Sequence, residues 1–264
     1  MQIYLPIAEI PVNIIVILLL GLVTGFLAGM FGIGGGFIMV PLLTFLLAFP
    51  VKRAAATSLA AIFLTAIAGV IGYALNDGVV WAAAIALSAG SVVGSFIGAR
   101  LLQVIPQQVI VWIYVVLLTV LAVRLLWSSE SSTDTWIVSP WWIAGLIAVG
   151  LVAGVMAGLL GVGGGIMVVP ILIGFFGLTT FDAKGSSLFM QIPAALVGTL
   201  TNMRFGMVDL KAGAYIGVVA ALVSYAGVAT SAILPSMLAN ILFAAVMAYT
   251  AVQFAIRAVR SRRT

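Results

Sequence analysis

Apolar residues run in blocks of roughly 18 or more along nearly the whole chain, the length a helix needs to cross ~30 Å of hydrocarbon. Breaks at glycine, proline and charge divide them into ten segments: 12–31, 37–49, 55–75, 80–102, 109–127, 141–160, 166–178, 186–203, 210–233 and 238–256. The pattern predicts an all-α integral membrane protein of about ten transmembrane segments. Segments 37–49 and 166–178 are short for full spans, so eight full spans plus two re-entrant pieces is the alternative. The one polar stretch between segments is 128–139, SSESSTDTWIVS.

The two halves are copies of one another. GLVTGFLAGMFGIGGGFIMVP at 21–41 returns as GLVAGVMAGLLGVGGGIMVVP at 150–170, with twelve of 21 positions identical at an offset of 129. The register continues without a gap, pairing Thr57 and Ser58 with Ser186 and Ser187, Gly69 with Gly198, Gly98 with Gly227 and Pro106 with Pro235. It divides the chain into a first repeat at 12–127, a polar loop at 128–139, a second repeat at 141–256 and a basic tail at 257–264. Duplicated helices around a glycine break are a common plan of membrane transporters, whose substrate sits where the repeats meet.

Charge discriminates between the two topologies. If all ten segments cross, Lys52, Arg53, Arg100, Arg204, Lys211, Arg257, Arg260, Arg262 and Arg263 share one side, leaving Arg124 and Lys184 on the other, a split of nine to two. With two re-entrant segments the split is seven to four. The positive-inside bias therefore favours ten crossings, with both termini cytoplasmic and 128–139 outside. Five crossings per repeat turn the second copy upside down, so the expected architecture is a pair of inverted-topology repeats. The expected location is the cell inner (plasma) membrane, as a multi-pass protein. No Lys or Arg precedes the first apolar run, which argues against a cleaved signal peptide.

Composition narrows the chemistry. The chain is 64% apolar and 6% charged, which leaves no length for a separate soluble domain. Without Cys or His there is no thiolate or imidazole metal site, no disulfide, no His-held haem and no His-based acid/base catalysis. No metal, no cofactor and no enzymatic activity are expected. The net charge of +5 owes much to the arginines of the tail, which read as an anchor to the anionic lipid bilayer rather than a nucleic-acid site. Asp77, Asp182 and Asp209 fall in short connections, so no intramembrane proton relay is visible.

The repeated motif carries the candidate site. Gly21, Gly25 and Gly29, like Gly150, Gly154 and Gly158, fall four apart on one helix face and read as close helix packing. The clusters that follow, Gly32, Gly34, Gly35, Gly36 and Gly161, Gly163, Gly164, Gly165, should break the helix, since each of the three consecutive glycines disfavours it by roughly 1 kcal/mol. Broken backbone is tolerated at membrane depth only where protein or a water-filled cavity satisfies it, so the breaks point inward. The helices restarting at Phe37 and Ile166 would aim N–H groups and positive dipole ends at an anion. A tight hairpin between packed helices is the plainer alternative. Thr57, Ser58, Ser186 and Ser187 recur at one register, and Gln191 lies one turn beyond Ser187, so a row of hydroxyls and an amide could face the same space. The expected substrate is a small anion held largely by such neutral donors.

The duplicated GxxxGxxxGxxGxGGGxxxxP blocks and the Ser-Leu pairs at Ser58–Leu59 and Ser187–Leu188 resemble the TauE/SafE family of membrane permeases, also called sulfite exporters. The resemblance covers residues 12–256. It implies an inner-membrane transporter of small sulfur-containing anions, such as sulfite or an organosulfonate, working by alternating access. A transporter of a different small solute, a carboxylate or a cation, and a non-transporting membrane scaffold are the alternatives. A homo-oligomer is compatible with the sequence.

Overall fold

The computed structural model describes residues 2–5, 10–127, 140–233 and 236–260. The loop expected at 128–139 and the last four residues of the basic tail lie outside them. Among the described residues ten helices follow one another: α1 (Ile14–Phe31), α2 (Gly36–Leu46), α3 (Val51–Ala74), α4 (Trp81–Val104), α5 (Gln107–Trp127), α6 (Pro140–Leu160), α7 (Gly165–Phe176), α8 (Thr180–Met203), α9 (Leu210–Ile233) and α10 (Ser236–Arg260). They correspond one to one with the ten apolar segments. A short antiparallel hairpin of β1 (Gln2–Leu5) and β2 (Ile10–Asn13), pairing Gln2 with Asn13 and Leu5 with Ile10, precedes them and was not legible as strands.

The largest boundary difference is at α8, which starts six residues before the apolar segment. Thr179 caps it, its hydroxyl accepting the Asp182 N–H at 3.1 Å. Asp182 is therefore in the first turn of a helix and not in a connection. Lys184 sits inside the helix.

Glycine sets the helix directions by letting backbones meet. A Cβ on Gly25 would collide with Ala220, and one on Gly29 with Ser224, so α1 runs parallel to α9. Gly90, Gly94 and Gly98 of α4 rest on Ile147, Leu151 and Val155 of α6, and Gly150, Gly154 and Gly158 return the contact onto Leu87, Ser91 and Ser95. These two helices are also parallel. Gly213, Gly217 and the Gly72 contact with Val228 align α3 with α9. The hydroxyls of Ser91 and Ser95 donate to Met190 O and Ala194 O and align α4 with α8. Gly69 on Leu188 and Gly198 on Leu59 make α3 and α8 antiparallel. It follows that α1, α3 and α9 run one way and α4, α6 and α8 the other. The equivalent pairs α1 and α6, α3 and α8, and α4 and α9 thus run in opposite directions.

Because α1 and α3 point the same way, the chain must return between them. It does so through a four-residue break and α2, whose 11 residues rise only ~16 Å. The 12-residue α7 makes the equivalent return between α6 and α8.

The interior includes buried polar side chains, whereas the perimeter is apolar. Ile85, Val116, Leu222 and Tyr225 are exposed, while Thr57, Ser58, Ser187, Gln191 and Asn202 are fully buried. This is the distribution expected of a protein solvated by lipid, where close packing and internal hydrogen bonds replace a hydrophobic drive. Among the described residues, α1, α3, α4, α6 and α9 have both the length and the apolar content of a membrane span. α8 matches them in length, but its polar row makes it less apolar.

The glycine contacts make a direct prediction. Gly25→Leu should cost more than the ~1–3 kcal/mol typical of overpacking, because the added atoms meet backbone that cannot swing aside. Gly145→Ala, whose Cβ would find only Phe176 ring atoms at 3.4 Å or more, should be tolerated. Yield and thermal stability of each variant in detergent would measure the difference.

Candidate functional site

Each break is built from left-handed glycines. Gly32, Gly34 and Gly35 have φ of 69°, 69° and 76°, and Gly161, Gly163 and Gly164 have φ of 67°, 84° and 76°. An L side chain in that region costs roughly 1–2 kcal/mol, so three left-handed residues in so short a stretch strongly favour glycine. The helical ladder resumes where Ile38 and Met39 N–H donate to Gly35 O, and where Met167 and Val168 N–H donate to Gly164 O. The first-turn amides at Gly36 and Gly165 lie ahead of those donors, where a helix offers no partner of its own.

The two breaks touch. A Cβ on Gly36 would strike Gly161 O, and one on Gly165 would come 2.9 Å from Ile33 Cα. Midway between the α3–α8 contacts lie Leu64 and Pro193, themselves equivalent positions, so the breaks meet near the centre of those helices. Two residues from that centre, about 3 Å along the axis, stand Ile62 on α3 and its counterpart Gln191 on α8. The Ile62 Cδ1 would lie 2.5 Å from a Cβ on Gly36. Gln191 Nε2 donates to Gly32 O at 3.3 Å, to Ser187 O at 3.2 Å and to Ser187 Oγ at 3.3 Å. Two of those acceptors are carbonyls, which fixes the orientation of the carboxamide. Its oxygen lies over both Gly34 and Gly163, close enough that a Cβ on either would overlap it, and has no hydrogen-bond partner among the described residues.

Carbonyls at the break are satisfied from across the repeat boundary. Ser58 Oγ lies 2.7 Å from Gly161 O and 2.8 Å from Ala55 O, and its single hydrogen is shared between the two carbonyls. The Tyr114 hydroxyl donates to Leu160 O. Gln191 serves Gly32 O, the counterpart of Gly161 O.

Of the residues singled out in the sequence, the structure brings Gly34, Gly35, Gly36, Gly163, Gly164, Gly165, Ser58, Ser187 and Gln191 to this junction. Gly35 and Gly164 face back onto Thr24 and Ala153 as helix caps rather than into the centre. Thr57 and Ser186 are not brought there. Thr57 Oγ1 accepts the Asp209 N–H at 3.1 Å and Ser186 Oγ accepts the Val80 N–H at 3.0 Å. Asp209 and Val80 are equivalent residues just before α9 and α4, so this recurring pair of hydroxyls anchors helix starts. One helical step, ~100°, turns Thr57 away from the face that Ser58 shares with the break.

Sequence reasoning missed Lys184. It lies against Gly32, is 8% exposed, and donates from Nζ to Ser231 Oγ at 2.8 Å. Lys184, Ser187 and Gln191 occupy i, i+3 and i+7 of α8, so they form one stripe toward the first break. That spacing was available once the helix start was moved to Thr180. The counterparts on α3 are Ala55, Ser58 and Ile62, so the polar version of the stripe exists in only one repeat.

Paired, oppositely directed bundles whose broken helices meet around buried polar groups define a multi-pass membrane transporter. Comparison with known proteins agrees and is more specific. The family model described as "Sulfite exporter TauE/SafE" matches residues 6–145 and again 146–264, and the chain belongs to that family of membrane transporters, not of enzymes. The chain is similar to the probable membrane transporter protein YunE of Bacillus subtilis, 38% identical over 40% of this chain and 38% of that protein. A probable membrane transporter protein of Methanocaldococcus jannaschii, MJ0441, is 30% identical over 59% of this chain and 60% of its own length. The chain thus spans less than two thirds of both. One from Haemophilus influenzae is 30% identical over 70% of this chain and 72% of its own. No solved structure matches the chain.

Gly163→Ala tests the junction. It combines a left-handed φ with a Cβ that overlaps Gln191 Oε1, so destabilisation by roughly 1–3 kcal/mol is expected, read as a lower melting temperature in detergent. An unchanged melting temperature would mean that the junction is looser than drawn.

Proposed function

We propose that this chain carries a small sulfur-containing oxyanion, sulfite or an organosulfonate, across the inner membrane by alternating access. The observation that carries the reading is the partnerless Gln191 oxygen held at the meeting of two helix starts, α2 and α7. A position where an oxygen rests against the positive ends of two helices suits an anion's oxygen. The substrate's donors are the first-turn amides, Ser58, Ser187 and the Gln191 carboxamide. Thr57 and Ser186 serve the fold in this reading. Lys184 lies on the same stripe, about 10 Å along α8 from Gln191.

In the proposed topology the ten helices make ten passes as inverted repeats about an axis in the membrane plane. One distribution supports the cytoplasmic placement of both termini: the basic residues Lys52, Arg53, Arg100, Arg204 and Lys211 gather at the end where α3 and α9 begin and α4 and α8 finish. The closed contact of the breaks corresponds to a conformation in which neither side reaches the site.

Reconstituted protein should take up or release sulfite or methanesulfonate and bind it at micromolar to millimolar strength, roughly −8 to −4 kcal/mol. Ser187→Ala should weaken binding about tenfold, ~1.4 kcal/mol, while Arg260→Ala leaves it unchanged. Binding unaltered by Ser187→Ala would move the site elsewhere. Selective binding of a cation would overturn the anion reading.

A further inference from the structure

We infer that Gln191 is a built-in stand-in for the substrate: in the closed conformation its carboxamide oxygen occupies the place of an anion oxygen, and the anion must displace it to bind. The inference rests on the anion-transport reading above and adds how the empty site is kept closed.

Three observations lead to it. First, Oε1 is fully buried yet makes no hydrogen bond among the described residues, although the same carboxamide's nitrogen has three acceptors. A buried acceptor left unpaired costs roughly 1–3 kcal/mol, so something other than hydrogen bonding must hold it there. Secondly, Oε1 lies over Gly34 and Gly163, one from each break, and α2 and α7 start two residues beyond them. Both helix starts carry partial positive charge, which favours a carbonyl oxygen over an apolar group in the same space. Thirdly, the repeat counterpart of Gln191 is Ile62, which packs at the same junction with no polar atom. Two oxygens there would repel across the axis and two apolar groups would leave both helix ends without a negative partner. One of each fills the centre with a single partial negative charge.

The displacement follows from these contacts. The Nε2 bonds to Gly32 O and Ser187 are 3.2–3.3 Å long, at the weak end of the N–H···O range, so the carboxamide can swing at modest cost. An oxyanion offers the same two helix ends a full charge, and the vacated carboxamide can then donate to it from Nε2. The consequence for transport is that an empty carrier closes around its own side chain. Ile62 on the other side leaves room for only one anion at a time.

The test places a titratable group at the stand-in position. Binding of methanesulfonate, which keeps one negative charge throughout, is measured from pH 5 to pH 9 on purified full-length protein and on Gln191→Glu. A stand-in carboxylate competes with the anion once ionised, so the variant's affinity should fall at least tenfold from the acid to the alkaline end. The unaltered protein should vary less than twofold. A variant profile as flat as that of the unaltered protein overturns the stand-in while leaving the anion site in place. Absence of methanesulfonate binding by the unaltered protein overturns both. If Gln191→Glu fails to fold, the side-chain carboxamide resonances of the unaltered protein decide instead. The Gln191 pair, recognised by its loss in Gln191→Met, should shift on saturation with methanesulfonate, and an unshifted pair refutes displacement.

Discussion

The rest of this structure depends on how two stretches of broken backbone are satisfied in a medium that offers no water. A carbonyl or amide left open in hydrocarbon costs several kcal/mol, and each repeat exposes such groups where its glycines end a helix. Neither repeat satisfies its own break alone. Ser58 and Tyr114 of the first repeat donate to Gly161 O and Leu160 O of the second, and Gln191 of the second donates to Gly32 O of the first. The glycine stripes on α1, α4, α6 and α9 serve the same end by bringing the helices that carry these donors into backbone contact. Reciprocal satisfaction ties the halves together at their most costly point, and a transporter that opens there must give those bonds new partners.

Duplication makes the junction nearly symmetric, and the departures from symmetry lie in the candidate site. Ser58 and Ser187 are kept in both copies, whereas Ile62 faces Gln191 and Ala55 stands where Lys184 is in the second copy. The polar stripe of α8 therefore has an apolar twin on α3. On the proposed reading this gives the carrier one anion position instead of two. It also puts the only cation of the two stripes in the first half of α8.

Much of the fold was legible in the sequence because lipid imposes a simple length rule and duplication reports twice on every break. Ten apolar segments became ten helices, and the glycine clusters broke them where three left-handed residues were needed. The hairpin at β1 and β2 was not legible, since Pro11 and its neighbours read as the edge of an apolar run. The start of α8 was missed because Asp182 and Lys184 look like a connection when hydropathy alone is followed, although Thr179 is a good cap. For the site, the pairing of Ser58 and Ser187 with the glycines could be seen in the repeat register. That Thr57 and Ser186 belong to helix starts could not be seen, because it depends on the distant Asp209 and Val80. Lys184 was hidden by the same misplaced boundary.

The central claim is that an anion's oxygen binds between Gly34 and Gly163 at the meeting of the two breaks. A crystal structure with 2-bromoethanesulfonate tests it most directly, since bromine scatters anomalously and marks the ligand without ambiguity. A sulfonate is expected at the junction, its oxygens within hydrogen-bond reach of Ser187 and the first-turn amides of α2 and α7, with the Gln191 oxygen moved aside. A sulfonate bound only at the basic end near Arg53 and Arg204, with the junction closed and Gln191 unmoved, would contradict it.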